Sequence, residues 1–350
     1  LEGAAMIAVE MAEFAALVRF MLGAVITFGI LPMVVLPRPA GARNLLDAYV
    51  TNLVRWLALI ITLAHLLALT SSYSRVSLIV TVLAIAWFAR YRKQVGGFAG
   101  LLQRFYMSGD DKVSIPKPDR MPVAERRRLA IVAMPVVLLI IASYALRVRD
   151  VFGSVNLSPP DAYIHMSWAN GIQQGTMWSD GVYPQGLPSI LAVLQSFSPF
   201  LNMMEVARFA GPMIGTFLVF AIYYAVVRLT RNPGAALLSA GLIGIFAAAG
   251  EWRHPWERHV GLLPQELGLA IAILAMVFAV LAVTEKGGGR YLPLGSSGGL
   301  TMSGNMLTLG LAAYVVAMVH PYPLVWLAVI VGVGAVAATL VTRRFSFLIG

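Results

Sequence analysis

The chain has 350 residues, 59% of them hydrophobic and only 12% charged, with a formal net charge of +10. Soluble domains carry roughly 25% charged residues, so a mean hydropathy of +0.79 excludes an ordinary soluble fold and makes lipid the expected solvent. The absence of cysteine excludes disulfides, thiolate nucleophiles and Cys-ligated metals. No basic stretch is interleaved with aromatics as single-stranded nucleic acid would require, so no nucleic-acid partner is expected. The positive charge is expected instead to set membrane orientation.

In chain order, the apolar runs predicted to span are Phe14–Leu36, Tyr49–Thr70, Val76–Ala89, Leu129–Leu146, Val206–Leu229, Gly234–Ala249, Leu262–Thr284, Ser303–His320 and Tyr322–Thr342. A hydrocarbon core of about 30 Å takes about 20 helical residues, so Val76–Ala89 and Gly234–Ala249 are short and expected to be buried or tilted. The fold class expected is therefore all-α: a polytopic transmembrane bundle of about nine spanning helices, with juxtamembrane helices in a long extracytoplasmic loop. The chain divides into an N-terminal three-helix segment (1–89), a basic loop (90–128) and a transmembrane core (129–350) with its outer loop at 147–186. It starts at Leu1 without a signal-peptide pattern before Phe14, as a fragment or processed form would.

The loop Arg90–Arg128 holds ten Lys and Arg against four Asp and Glu, which predicts a cytoplasmic position. Alternation then puts Arg38, Arg43, Arg228, Arg231, Lys286, Arg290, Arg343 and Arg344 inside. Arg75, Arg147, Arg149, Arg253 and Arg258 are left outside. Leu187–Leu201 is apolar but only fifteen residues long, between Pro188 and Pro199; crossing would strand Arg228 and Arg231 outside, so it is read as a juxtamembrane or re-entrant helix. Gly211-Pro-Met-Ile-Gly215 is a GxxxG that admits a neighbouring backbone. The Gly- and Ser-rich run Gly287–Gly304 predicts a flexible cytoplasmic loop.

This topology gathers mixed acids, bases and cations on the outer face: Asp150, Asp161, His165, Asp180, Glu251, Arg253, His254, Glu257, Arg258, His259 and His320. Such a mixture is what a site for an anionic substrate needs. In Ser158-Pro-Pro-Asp-Ala-Tyr-Ile-His165 the prolines predict a helix start, and Asp161 and His165 fall four apart on one face. That pair could serve as general base or hold a divalent cation, Mg or Mn, on Asp161. A capping box from Ser158 to Asp161 is the structural alternative. Asp180-Gly181 signals a turn and Pro184 a new element, while Trp178 and Tyr183 also suit an interfacial belt. GEWRHPWERHVG at 250–261 concentrates two Arg, two Glu and two His, and Glu266 follows at a helix start, where an acid also suits the dipole.

The order of a long outer loop with Asp161-x-x-x-His165, then Gly175, then Tyr183-Pro184-x-Gly186 opening a short apolar helix, then Arg208 before a span, resembles the GT-C class of membrane glycosyltransferases. His320-Pro-Tyr at the end of a later helix adds to it. The resemblance is best over Leu129–Thr230. The chain departs from the class in having no acidic neighbour to Asp161 and three helices ahead of the class's first span. The resemblance implies a sugar donor carried on polyprenyl phosphate, a glycan, lipid or protein acceptor, inverting transfer, and an active site on the extracytoplasmic side of the cell membrane. Asp161 would be catalytic with His165 in support; Arg253, Arg258 and His320 would meet the donor phosphate; Asp180, Tyr183, Glu257 and Glu266 would contact substrate. Two other classes stay open: a transporter or lipid flippase, for which Arg19, Arg55 and His65 are candidate intramembrane groups, and a non-catalytic assembly subunit.

Overall fold

A computed structural model describes residues 2–39, 42, 44–95, 123–154, 156–157, 159–178, 183–198, 200–245, 260–284, 290–291 and 302–342. Its elements are α1 (Glu2–Ala24), a π-helical segment (Val25–Ile30), α2 (Leu31–Val35), α3 (Leu45–Leu69), α4 (Arg75–Val95), α5 (Val123–Val151), α6 (Asp161–Gln173), α7 (Gly186–Phe197), α8 (Met203–Thr230), α9 (Pro233–Gly244), α10 (Pro264–Thr284), α11 (Gly304–Val319) and α12 (Pro321–Thr342). Two short strands, β1 (Arg290–Tyr291) and β2 (Met302–Ser303), pair antiparallel between α10 and α11. The Gly- and Ser-rich stretch between them lies outside the described residues.

Every predicted apolar run falls in a helix, but the helices differ in reach. Among the described residues four are long and apolar enough to cross a membrane: Val9–Val35, Leu45–Leu69, Met203–Thr230 and Pro264–Ala282. Length and composition thus show four of the expected nine spans among the described residues. α9 runs over twelve residues, Pro233–Gly244, about 18 Å, and residues 246–249 of the predicted run lie outside the described residues. Within α4, α11 and α12 the described apolar stretches Arg75–Ala89, Gly304–Val319 and Pro321–Ala337 are shorter.

Helix ends follow the sequence. Asn202 and Glu205 form a reciprocal capping box at the start of α8, Asn44 accepts from the Asp47 N–H at 2.8 Å ahead of α3, and Pro233 opens α9 after Asn232. Pro32, four residues after Phe28, has no N–H to give the Phe28 carbonyl, and Tyr49 of α3 donates its hydroxyl to that oxygen at 3.1 Å, a bond that lipid could not supply.

α8 and α10 form the centre. α8 packs against α5, α7, α9 and α10, while α10 packs against α11 and α12, and α11 against α3. Gly211 lets the two central elements close up: a Cβ there would collide with the Val260 carbonyl and the backbone of Gly261 and Leu262. This is the close approach the GxxxG predicts. α7 is twelve residues long, about 18 Å, and Gly186 through Leu194 are all buried. Its neighbours are α3, α6 and α8, with further contacts to α1, α4 and α11. A helix too short to cross is tolerable at this depth because protein surrounds it.

Candidate functional site

The site is built where α6, the entry to α7 and the end of α11 meet. Gly186 sets that meeting: a Cβ there would stand 2.6 Å from the Met318 carbonyl oxygen, closer than side chains allow, so only glycine lets α7 start directly against α11. Tyr183 and His320, three residues before Gly186 and just past α11, come together as a result, with ring centroids 6.2 Å apart. From α6, His165 stands 6.0 Å from Tyr183 and 5.5 Å from Trp168, and Trp168 lies 5.2 Å from Tyr183. Four rings thus line one small region, with Asp161 one turn from His165 and close enough to act electrostatically on both His165 and Tyr183.

The groups differ in exposure and therefore in chemistry. Asp161 is exposed, at the first position of α6. The residue before it, Pro160, makes no side-chain cap, and the Asp161 carboxylate makes no hydrogen bond among the described residues; Ser158 lies outside them. His165 is 4% exposed and its Nδ1 is buried without a hydrogen-bond partner. Burial pushes its pKa down to about 4, against the opposing pull of Asp161 and with a smaller contribution from His320, so His165 is neutral at pH 7. Burial also lowers His320. The Tyr322 N–H donates to His320 Nδ1 at 3.1 Å, which makes Nε2 the protonated nitrogen of the neutral ring. Tyr183 is raised by burial first and by the Asp161 charge second, so its hydroxyl keeps its proton.

The other residues singled out in the sequence make contacts of their own or lie outside the described residues. Glu266 is in the first turn of α10 and acts on Arg147. Arg147, expected in an outer loop, is instead fully buried near the end of α5. Its Nη1 donates to the Ser143 hydroxyl at 2.6 Å and the Gly244 carbonyl at 3.0 Å. Arg208 is bound to Glu13 of α1 at 3.0 Å and to the Ser154 carbonyl at 2.9 Å, holding the connection that leads to α6. Asp150 pairs with the exposed Arg149 at 3.4 Å. Asp180, Arg253, Glu257 and Arg258 lie outside the described residues. No three His, Asp or Glu side chains converge as a metal centre among the described residues.

Trp168 and Glu13 escaped the sequence reading. Trp168 had a signal, since Asp161, His165 and Trp168 follow i, i+4, i+7 spacing on one helical face. Glu13 had none, its partner being 195 residues away. No family model, curated protein or solved structure matches the chain.

Proposed function

We infer that the protein is a membrane glycosyltransferase that moves a sugar from a polyprenyl-phosphate donor to an acceptor hydroxyl on the extracytoplasmic side of the cell membrane. The reading carries with it a nine-span topology in which the short helices complete the bundle around the four long ones. One observation bears most of it: an exposed carboxylate, Asp161, stands with His165, Tyr183 and His320 at one end of a bundle of apolar helices.

In this reading Asp161 takes the proton of the acceptor hydroxyl as its oxygen attacks the anomeric carbon. The bond from that carbon to the phosphate oxygen breaks, and polyprenyl phosphate leaves with the electron pair. Charge growing on the leaving phosphate is met by donors, the His320 Nε2–H and the side chains of Arg253 and Arg258, where electrostatic stabilisation contributes most. Neutral His165 holds its ring against Tyr183 and Trp168 and adds no competing charge. A divalent cation would be held by Asp161 and would supply Lewis-acid stabilisation of the phosphate charge.

Removal of a general base typically costs roughly 10²–10⁴-fold in rate. Membranes carrying Asp161→Asn, supplied with radiolabelled polyprenyl-phosphate sugars, are expected to hold normal amounts of inserted protein and to lose transfer by that factor. Transfer at the wild-type rate would reject the assignment. Arg258→Ala should weaken use of the donor in the same assay.

A further inference from the structure

The connection from α5 to α6 is gripped by a helix that belongs to neither. Glu13 of α1 is part of the candidate span Val9–Val35, where an ionisable side chain calls for a partner. Its two carboxylate oxygens take different ones. Oε2 accepts the Gly153 N–H at 2.7 Å, and Oε1 accepts from Arg208 Nη1 at 3.0 Å. The same Nη1 donates to the Ser154 carbonyl at 2.9 Å. Gly153 has a φ of 77°, a left-handed turn that favours glycine. The Glu13 and Arg208 side chains are only 15% and 12% exposed, so solvent screens their attraction little.

The far end of the connection is tied to α6. The Leu157 N–H donates to the Tyr163 hydroxyl at 3.1 Å, and that hydroxyl donates to Asn156 Oδ1 at 3.4 Å. Tyr163 is in the first turn of α6, two residues after Asp161. The segment from Gly153 to Tyr163 is therefore held by α1 and α8 at one end and fastened at the other to the helix start that presents Asp161. The seat of α1 does not depend on Glu13. Phe20 and Phe209 are fully buried with ring centroids 5.7 Å apart. A Cβ at Gly23 would collide with the Ser198 side chain at the end of α7. Close packing thus fixes α1 on α7 and α8, whereas Glu13 gives it a charged grip on the connection.

We propose that Glu13 is a positioning residue for Asp161: with Arg208 it sets where α6 starts, and so where the Asp161 carboxylate meets the acceptor hydroxyl. The role in transfer rests on the glycosyltransferase reading above; the structural grip does not. It brings the N-terminal helix, which precedes the segment resembling the GT-C class, into the working of the site. Charge and reach both matter. A glutamine at 13 keeps the size but loses the ion pair and accepts more weakly. An aspartate keeps the charge and falls short by one methylene. A misplacement of about 1 Å imposed from far off can cost about 10²-fold in rate.

The test uses the full chain in lipid nanodiscs, with spin labels on cysteines introduced at Ser167 of α6 and Leu229 of α8, both exposed. Pulsed electron paramagnetic resonance is expected to give a narrow distance distribution with Glu13 in place and a shifted or broadened one in Glu13→Gln. In the same chains without labels, kcat for sugar transfer is expected to fall by up to about 10²-fold while KM for the donor stays unchanged. Glu13→Asp is expected to show intermediate values of both, and serves alone should the Gln variant not insert. Glu10→Gln removes an exposed carboxylate one turn earlier and should move neither. An unchanged distance distribution in Glu13→Gln overturns the proposal, even with a lowered Tm, which is the mark of a merely structural ion pair. Full kcat at shifted distances overturns it too. A wild-type chain that transfers no sugar rejects the glycosyltransferase reading instead, and the distances still decide whether Glu13 sets the place of α6.

Discussion

His165 links burial to pH. The unfolded chain takes up a proton near the ordinary histidine value of about 6.5, whereas the folded chain resists until about pH 4 because burial disfavours the cation. Between those limits the unfolded state holds more protons, so stability falls as pH drops from about 6.5 to about 4 and is level above. His320, lowered for the same reason, acts in the same direction. Thermal melting across that window is expected to show a falling Tm for the wild type and a shallower fall for His165→Gln. An equally steep fall in the variant would mean that other groups carry the acid sensitivity.

The arginines near the end of α5 show how an element assigns different work to neighbouring cations. Arg147 is buried with donors on Ser143 and Gly244 and with Glu266 nearby, so it ties the end of α9 to the start of α10. Arg149, two residues on, is largely exposed and, among the described residues, paired only with Asp150 at 3.4 Å. Arg147→Gln is therefore expected to lower stability by about 3 kcal/mol, the usual scale for leaving a buried charge without its partner. Arg149→Gln should leave the melting curve unchanged; equal losses for the two would remove the distinction. At the other junction, Gly186→Val would drive a side chain into the Met318 carbonyl and separate Tyr183 from His320. The Asp161–His165 pair and the shortness of α7 were readable because both depend on local spacing. The seat of α7 was not, because the clash that demands glycine at 186 comes from a backbone 132 residues away. Arg147 was misplaced for a related reason: positive-inside counting treats arginines as loop charges, and tertiary packing decides which of them are buried instead.

For the whole molecule, the decisive property is sidedness. Apolar periodicity located the helices, yet it leaves the span count open, because among the described residues α9 and α7 carry the pattern over only twelve residues each. The packing gives a stronger relation. Asp47, Arg55, Arg228 and Asn305 share one end, and His165, Tyr183 and His320 share another. Crossing helices that join these ends must present them to opposite faces of the membrane. The chain has no cysteine, so single introduced cysteines report without background. Cysteine at Arg149 and cysteine at Tyr322, both at exposed positions, are expected to react with an impermeant maleimide in intact cells. Cysteine at Arg231, exposed just beyond α8, should react only after the membrane is opened. The opposite pattern throughout would keep the bundle and invert its orientation, placing Asp161 on the cytoplasmic side and removing the extracytoplasmic transfer reading. Reaction of the residue 149 and 231 variants from the same side would go further, since it would deny that α8 crosses at all.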